Sequence, residues 1–129
     1  MPIPEAILDA SAVLAWLQEE PGADKVDAVL DRAALSAVNA AEVLHKLITR
    51  GSTREKAQEI LDQISVPILD FTERMSRECA GLSHHAGLSL GDRACLATAI
   101  TLGVPVLSAD RRWGKLPLPE TVRLIRTAP

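Results

Sequence analysis

Short apolar runs alternate with longer amphipathic ones along the whole chain. "AILDA" (Ala6 to Ala10), "ALSAV" (Ala34 to Val38), "SVPILDF" (Ser65 to Phe71), "VPVLSAD" (Val104 to Asp110) and "VRLIR" (Val122 to Arg126) are short and apolar, as buried strands are. Pro67 falls near the start of the third run, where a proline is tolerated. Helical patterns fill the intervals. "SAVLAWLQEE" (Ser11 to Glu20) is stopped by Pro21-Gly22. "ADKVDAVLDR" (Ala23 to Arg32) puts Val26, Val29 and Leu30 on one face. "NAAEVLHKLITR" (Asn39 to Arg50) is closed by Gly51. "TREKAQEILDQI" (Thr53 to Ile64) has Thr53 as N-cap and a charged wet face. "TERMSRECAGLSHHAG" (Thr72 to Gly87) reads as one helix. "SLGDRACLATAITLG" (Ser89 to Gly103) reads as another, apolar enough to be central and buried. Strands alternating with helices predict an α/β fold, a three-layer α/β/α sandwich around a mainly parallel sheet of four to five strands. With no linker, repeat or low-complexity segment, residues 1–129 are expected to form one domain.

Composition narrows the class. A hydrophobic fraction of 47% excludes a disordered chain, and only 2% aromatic residues leaves Leu, Ile, Val and Ala to fill the core. The net charge of -3 gives no global basic footprint. That argues against holding nucleic acid by broad phosphate neutralisation, but it allows a local basic rim. Cys79 and Cys95 lie in apolar helical patterns and read as buried, reduced thiols, which fits a cytoplasmic protein. The first twenty residues lack a basic leader, and Asp9 interrupts their apolar run. They read as neither signal peptide nor membrane span.

Four acids stand at the joints of this layout. Asp9 ends the first strand and Asp110 the fourth. Glu42 is expected in the first turn of the third helix, and Asp92 in the first turn of the helix before strand four. Each has an ordinary explanation. Asp9 can lead into the next helix. Asn39-x-x-Glu42 and Ser89-x-x-Asp92 have the form of capping boxes, and Asp110 can start a turn. Jointly they say more. In a parallel α/β sheet the carboxyl ends of strands and the amino ends of helices share one edge, and ligands bind in the crevice there. Carboxylates gathered at ~4 Å would repel by about 4 kcal/mol per pair at an effective dielectric near 20. Such a cluster persists if some acids are protonated or a cation is bound. Oxygen ligands without His or Cys suit Mg²⁺ or Mn²⁺. Divalent ions between carboxylates and phosphate are the usual apparatus of phosphodiester hydrolysis.

The chain resembles the PIN-domain ribonucleases, and among them the VapC-type toxins of toxin–antitoxin pairs. The likeness runs through "LDASAVLAWLQEEPGADKV", "LSAVNAAEVLHKL", "GLSLGDRACLATAITLGVPVLSADRRW" and "VRLI". It carries the family's acids onto Asp9, Glu42, Asp92 and Asp110. Ser11 falls at a small polar position beside the first acid, and Ser108 where the family has Thr or Ser. The resemblance implies a Mg²⁺- or Mn²⁺-dependent endoribonuclease whose four acids hold one or two ions, with Ser11 and Ser108 orienting carboxylates or water. It also implies a VapB-type antitoxin partner that inserts a segment into the acidic site, and a homodimer. Arg93, Arg111, Arg112 and Lys115 are either a basic rim for RNA phosphate or solvated loop charge.

Other features are assigned no chemistry. His84, His85 and Cys79 do not have the spacing of a closed zinc site. His45, three residues after Glu42, is expected to be structural or solvent-facing. Trp16 and Trp113 are expected to pack, although Trp16 can also line a groove for an antitoxin helix. Two other phosphoryl-transfer classes fit poorly. A receiver domain needs an acidic pair near its phosphoacceptor, and a haloacid-dehalogenase-like phosphatase needs Asp-x-Asp where this chain has "DAS". The alternative from another class is a non-catalytic PIN-like scaffold that binds RNA or protein. Loss of a site acid would be its sign, and all four positions are filled.

Overall fold

Five parallel strands form one sheet in the order β3-β2-β1-β4-β5. They are β1 (Ala6–Leu8), β2 (Ala33–Ser36), β3 (Ile68–Leu69), β4 (Val106–Ser108) and β5 (Val122–Leu124). The structure is a computed structural model and describes residues 3–83, 85, 87–118 and 121–126. Among the described residues six α-helices accompany the strands: α1 (Ala10–Leu17), α2 (Ala23–Asp27), α3 (Ala37–Thr49), α4 (Arg54–Ile64), α5 (Glu73–Ala80) and α6 (Leu90–Leu102). The predicted strands are all present, each shorter than its apolar run.

Alternation along the strands builds two cores. Ala6, Leu8, Ala33, Leu35 and Leu107 face one side, where they meet Val13 of α1, Val26 of α2, Val43 of α3 and Leu61 of α4. Ile7, Ala34 and Val106 face the other, against Cys79 of α5, Cys95 and Leu96 of α6, and Trp113. Adjacent residues therefore serve opposite layers, as a period of two requires, and helices cover both faces. The expected α/β/α sandwich is the observed one. Cys79 and Cys95 are free and buried, also as expected. No helix among the described residues is long and apolar enough to cross a membrane.

Several helix boundaries differ from the sequence reading, beginning with α1, which was expected to reach Glu20 and ends at Leu17. The helix expected over Ala23 to Arg32 ends at Asp27, and a 3-10 turn at Leu30–Arg32 follows. The chain must unwind there so that Ala33 can enter β2 beside Ala6. The helix expected over Thr72 to Gly87 ends at Ala80 and is capped by Gly81. Glycine is a poor helix former, and the chain turns at Leu82 and Ser83 before α6 begins. Finally, α3 is capped three residues early. Ser36 is its N-cap, accepting from the Val38 N–H at 3.2 Å, so Asn39 and Glu42 are not a capping box. Asn39 lies within the first turn, and Glu42 falls in the second rather than the first.

One glycine ties the carboxyl-terminal strand to the body. Gly22, at φ +96°, opens α2, and a Cβ there would lie 2.7 Å from the Ile125 carbonyl oxygen. Only glycine fits both the backbone conformation and the space.

Candidate active site at the carboxyl ends of the strands

The strand order reverses between β1 and β4. The chain steps outward from β1 to β2 and β3, then returns to β1's other side with β4 and β5. In open parallel sheets the ligand crevice opens at such a reversal, above the strands' carboxyl ends. Leu8 pairs with Leu107 in register, so Asp9 and Ser108 emerge side by side at that point.

Asp9 is only 4% exposed. Two hydroxyls converge on its Oδ2: Ser11 Oγ donates at 2.5 Å and Ser108 Oγ at 3.1 Å. Ser11 Oγ in turn accepts from the Ala109 N–H, and Ser108 Oγ from the Asp110 N–H, each at 3.0 Å. Both serines singled out beside the acids hydrogen-bond the same carboxylate oxygen. Burial pushes the Asp9 carboxyl up to about 6, helped by the charges of Asp92 and Glu42 and opposed by the two serine hydrogen bonds.

Glu42 reaches this neighbourhood from α3. Its Oε1 accepts from Asn39 Nδ2 at 2.6 Å, and the same amide nitrogen donates to the Gly91 carbonyl at 3.1 Å. Asn39 is fully buried. The Glu42 carboxylate lies directly over Gly91, close enough that any Cβ there would collide with it. Asp92 follows in the first turn of α6. Ser89 and Asp92 form the predicted capping box: the Asp92 N–H donates to Ser89 Oγ at 3.1 Å, and Asp92 Oδ2 accepts from the Ser89 N–H at 3.0 Å. The Cys95 thiol is buried one turn further along α6. Burial pushes it well above its ordinary range, with Asp9, Glu42 and Asp92 adding to the effect. Glu42 and Asp92 thus raise both Asp9 and Cys95, and Asp9 adds to the effect on the thiol.

Asp110 joins through Ser108 but turns its carboxylate elsewhere. It caps the 3-10 turn Arg111–Lys115 by accepting from the Arg112 N–H at 3.0 Å, and it pairs with the Arg112 guanidinium at 2.6 Å. That guanidinium holds the Asp110 carboxyl below its usual range. The turn reading and the site reading of Asp110 are compatible. Trp113, 1% exposed, anchors this turn in the core beneath it.

The four rim residues separate. Arg111, Arg112 and Lys115 are exposed and Arg93 is half-buried. Arg112 is committed to Asp110 and also senses the Asp92 charge. His45 is exposed on α3. His84 lies outside the described residues. Among the described residues, no three His, Cys, Asp or Glu side chains stand close enough to share one ion as placed.

Sequence reasoning paired Asn39 with Glu42 as a capping box, where the structure has a side-chain to side-chain bond, and it missed Gly91 altogether. The signal for Gly91 was present: a glycine in the first turn of an otherwise apolar helix lowers helix propensity and calls for a packing reason.

The family model of the PIN domain matches residues 6–118. The chain belongs to the PIN domain family. By sequence, no curated protein matches it. Solved structures do match the PIN fold. A toxin–antitoxin complex from Klebsiella pneumoniae is 16% identical, with a TM-score of 0.74 over 95% of this chain and 99% of that one. DNA-bound VapBC from Salmonella typhimurium is 14% identical, with the same TM-score of 0.74 over 95% of this chain and 99% of that one. VapBC-5 from Mycobacterium tuberculosis is 22% identical, with a TM-score of 0.62 over 95% of this chain and 99% of that one. At such identities the likeness is one of fold.

PIN-domain nucleases generally use divalent metals. The donors here fit such an ion in kind. They are oxygen atoms, and three come from carboxylates whose charges oppose one another around a buried Asp9. The absence of a side chain at Gly91 leaves the room that Glu42 occupies.

Proposed function

We propose that this PIN domain is a Mg²⁺- or Mn²⁺-dependent endoribonuclease acting as the toxin of a toxin–antitoxin pair. The observation that carries the reading is the buried Asp9 carboxylate, raised to about 6 beside Glu42 and Asp92 from two other elements. Three acids delivered to one crevice by β1, α3 and α6 are costly for the fold unless a cation offsets their repulsion.

Asp9, Glu42 and Asp92 would hold the ion, with Asp110 beside them. The cation's contribution is to neutralise the carboxylates and make water nucleophilic near neutral pH. The chain does the rest. Ser11 and Ser108 fix Asp9 through Oδ2, and among the described residues no hydrogen bond engages its Oδ1. One site carboxylate accepts the proton of the attacking water as general base. Arg93, Arg111, Arg112 and Lys115 supply phosphate contacts that position RNA at the crevice.

An antitoxin partner is part of the same reading. The structural neighbours include toxin–antitoxin complexes, some of them DNA-bound, which supports a VapB-type antitoxin partner. A homodimer and a cytoplasmic setting complete it.

Sequencing RNA ends after brief induction tests the proposal in cells. The wild-type chain is expected to generate new ends at defined positions, and Asp92→Asn none. If both chains leave the same RNA ends, the domain works as a non-catalytic scaffold instead.

A further inference from the structure

Asn39 and Gly91 carry no acid of their own, yet both stand against Glu42. The Asn39 side chain is wholly buried, and its amide nitrogen bridges Glu42 Oε1 on α3 and the Gly91 carbonyl on α6. Both neighbours of that nitrogen are acceptors, so the amide orientation is fixed by chemistry: reversed, its oxygen would face two oxygens. The other end, Oδ1, has no hydrogen-bond partner among the described residues. A buried polar side chain that leaves one atom unsatisfied is retained at a cost, and what its other end does is tie a carboxylate to a neighbouring helix. Gly91 supplies the complementary half. With any larger residue at position 91, the Cβ would occupy the space now held by the Glu42 carboxylate.

We infer that Asn39 and Gly91 form a seat that holds the Glu42 carboxylate at the amino end of α6, with Asn39 as a positioning residue for the reaction. The inference deepens the proposed nuclease reading and rests on it for its catalytic meaning. The seat itself is a property of the protein alone. Groups that orient a metal-ligating side chain set the affinity of the site, and their loss lowers it by about 10- to 100-fold.

Gly91→Ala separates seat from scaffold. Alanine is a better helix former than glycine, so the variant is expected to fold and melt no lower than wild type, while its methyl group displaces Glu42. Calorimetric titration with Mn²⁺ should show affinity reduced by about tenfold or more in Gly91→Ala and in Asn39→Asp, the latter of similar shape but acceptor-only when ionised. In a Glu42→Ala background neither change should matter further. The metal-free protein gives a second readout. The Asn39 side-chain amide signals in ¹H–¹⁵N spectra should be shifted and slow to exchange in wild type, and should revert in both Gly91→Ala and Glu42→Ala.

Wild-type Mn²⁺ affinity in Gly91→Ala would overturn the inference. So would Asn39 amide signals indifferent to Glu42→Ala. A wild-type chain that binds no Mn²⁺ would overturn the nuclease reading instead, and the amide signals would still decide whether the seat exists.

Discussion

Ser108 Oγ donates to Asp9 Oδ2 at 3.1 Å, joining the ends of two neighbouring strands across 99 residues of sequence. The bond forms because β1 and β4 are adjacent and in register, and it holds the carboxylate where the sheet order reverses. Removing the hydroxyl in Ser108→Ala takes away a stabiliser of the ionised form. A hydrogen bond to a charged group is worth about 1.5–3 kcal/mol, so the Asp9 pKa should climb by about one unit more. Carbon-13 NMR titration of the Asp9 carboxyl checks this. An unchanged titration would mean that the bond does not serve the carboxylate.

Asp9 also sets a pH dependence of stability. Its folded value, about 6, lies above the ordinary 3.8. Below the ordinary value both states carry the proton, and Asp9 imposes no penalty. As pH rises from about 4 to 6 the unfolded state loses its proton first, so this contribution weakens the fold and then levels off. At about 1.36 kcal/mol per unit the penalty is on the order of 3 kcal/mol. Asp9→Asn should therefore melt on the order of 10 °C higher than wild type at pH 7.5 and lose that advantage near pH 4. Thermal melts across this range decide it. Added Mg²⁺ should raise the wild-type Tm at pH 7.5 and leave Asp9→Asn little changed.

The strand and helix pattern was legible because each run has a clean period. Ile7 and Leu8 point into different cores, as alternation predicts. The acids were legible as a set through topology, since strand ends and helix starts share an edge. The partners of those acids were less so. The Asn39–Glu42 contact depends on where α3 begins, and the expected capping box placed that start three residues late. The contact from α3 to Gly91 on α6 crosses 52 positions and leaves no local signature. The end of α5 at Ala80 was missed because Cys79 and Leu82 are both buried, so the apolar spacing continues after the helix stops.

Trp113 anchors the turn that carries Asp110 and the two arginines, and it is 1% exposed. Trp113→Ala should destabilise the protein by about 3–5 kcal/mol. Denaturant unfolding measures this, and a loss below about 1 kcal/mol would show that the turn is held by something else.

Arg111 is exposed on that turn and, unlike Arg112, pairs with no carboxylate among the described residues. If it contacts phosphate, Arg111→Ala should weaken RNA binding regardless of sequence. It should also reduce the slope of log K against log salt by about 0.7, the value for one contact on a single strand. Binding measured over a salt series in an Asp92→Asn background, where cleavage is absent, tests this. An unchanged slope would return Arg111 to the class of solvated surface charge.

On the proposed reading, Asp9, Glu42 and Asp92 make this PIN domain a metal-dependent ribonuclease. The most direct test of that claim is cleavage of a labelled RNA by the purified chain, free of any antitoxin, over a Mg²⁺ and Mn²⁺ series. Wild type should cut only with the divalent ion. Asp9→Asn, Glu42→Gln and Asp92→Asn should each lose at least 100-fold in rate, on the order of 3 kcal/mol of barrier. Cleavage that survives chelation, or that persists in these variants, would contradict the claim.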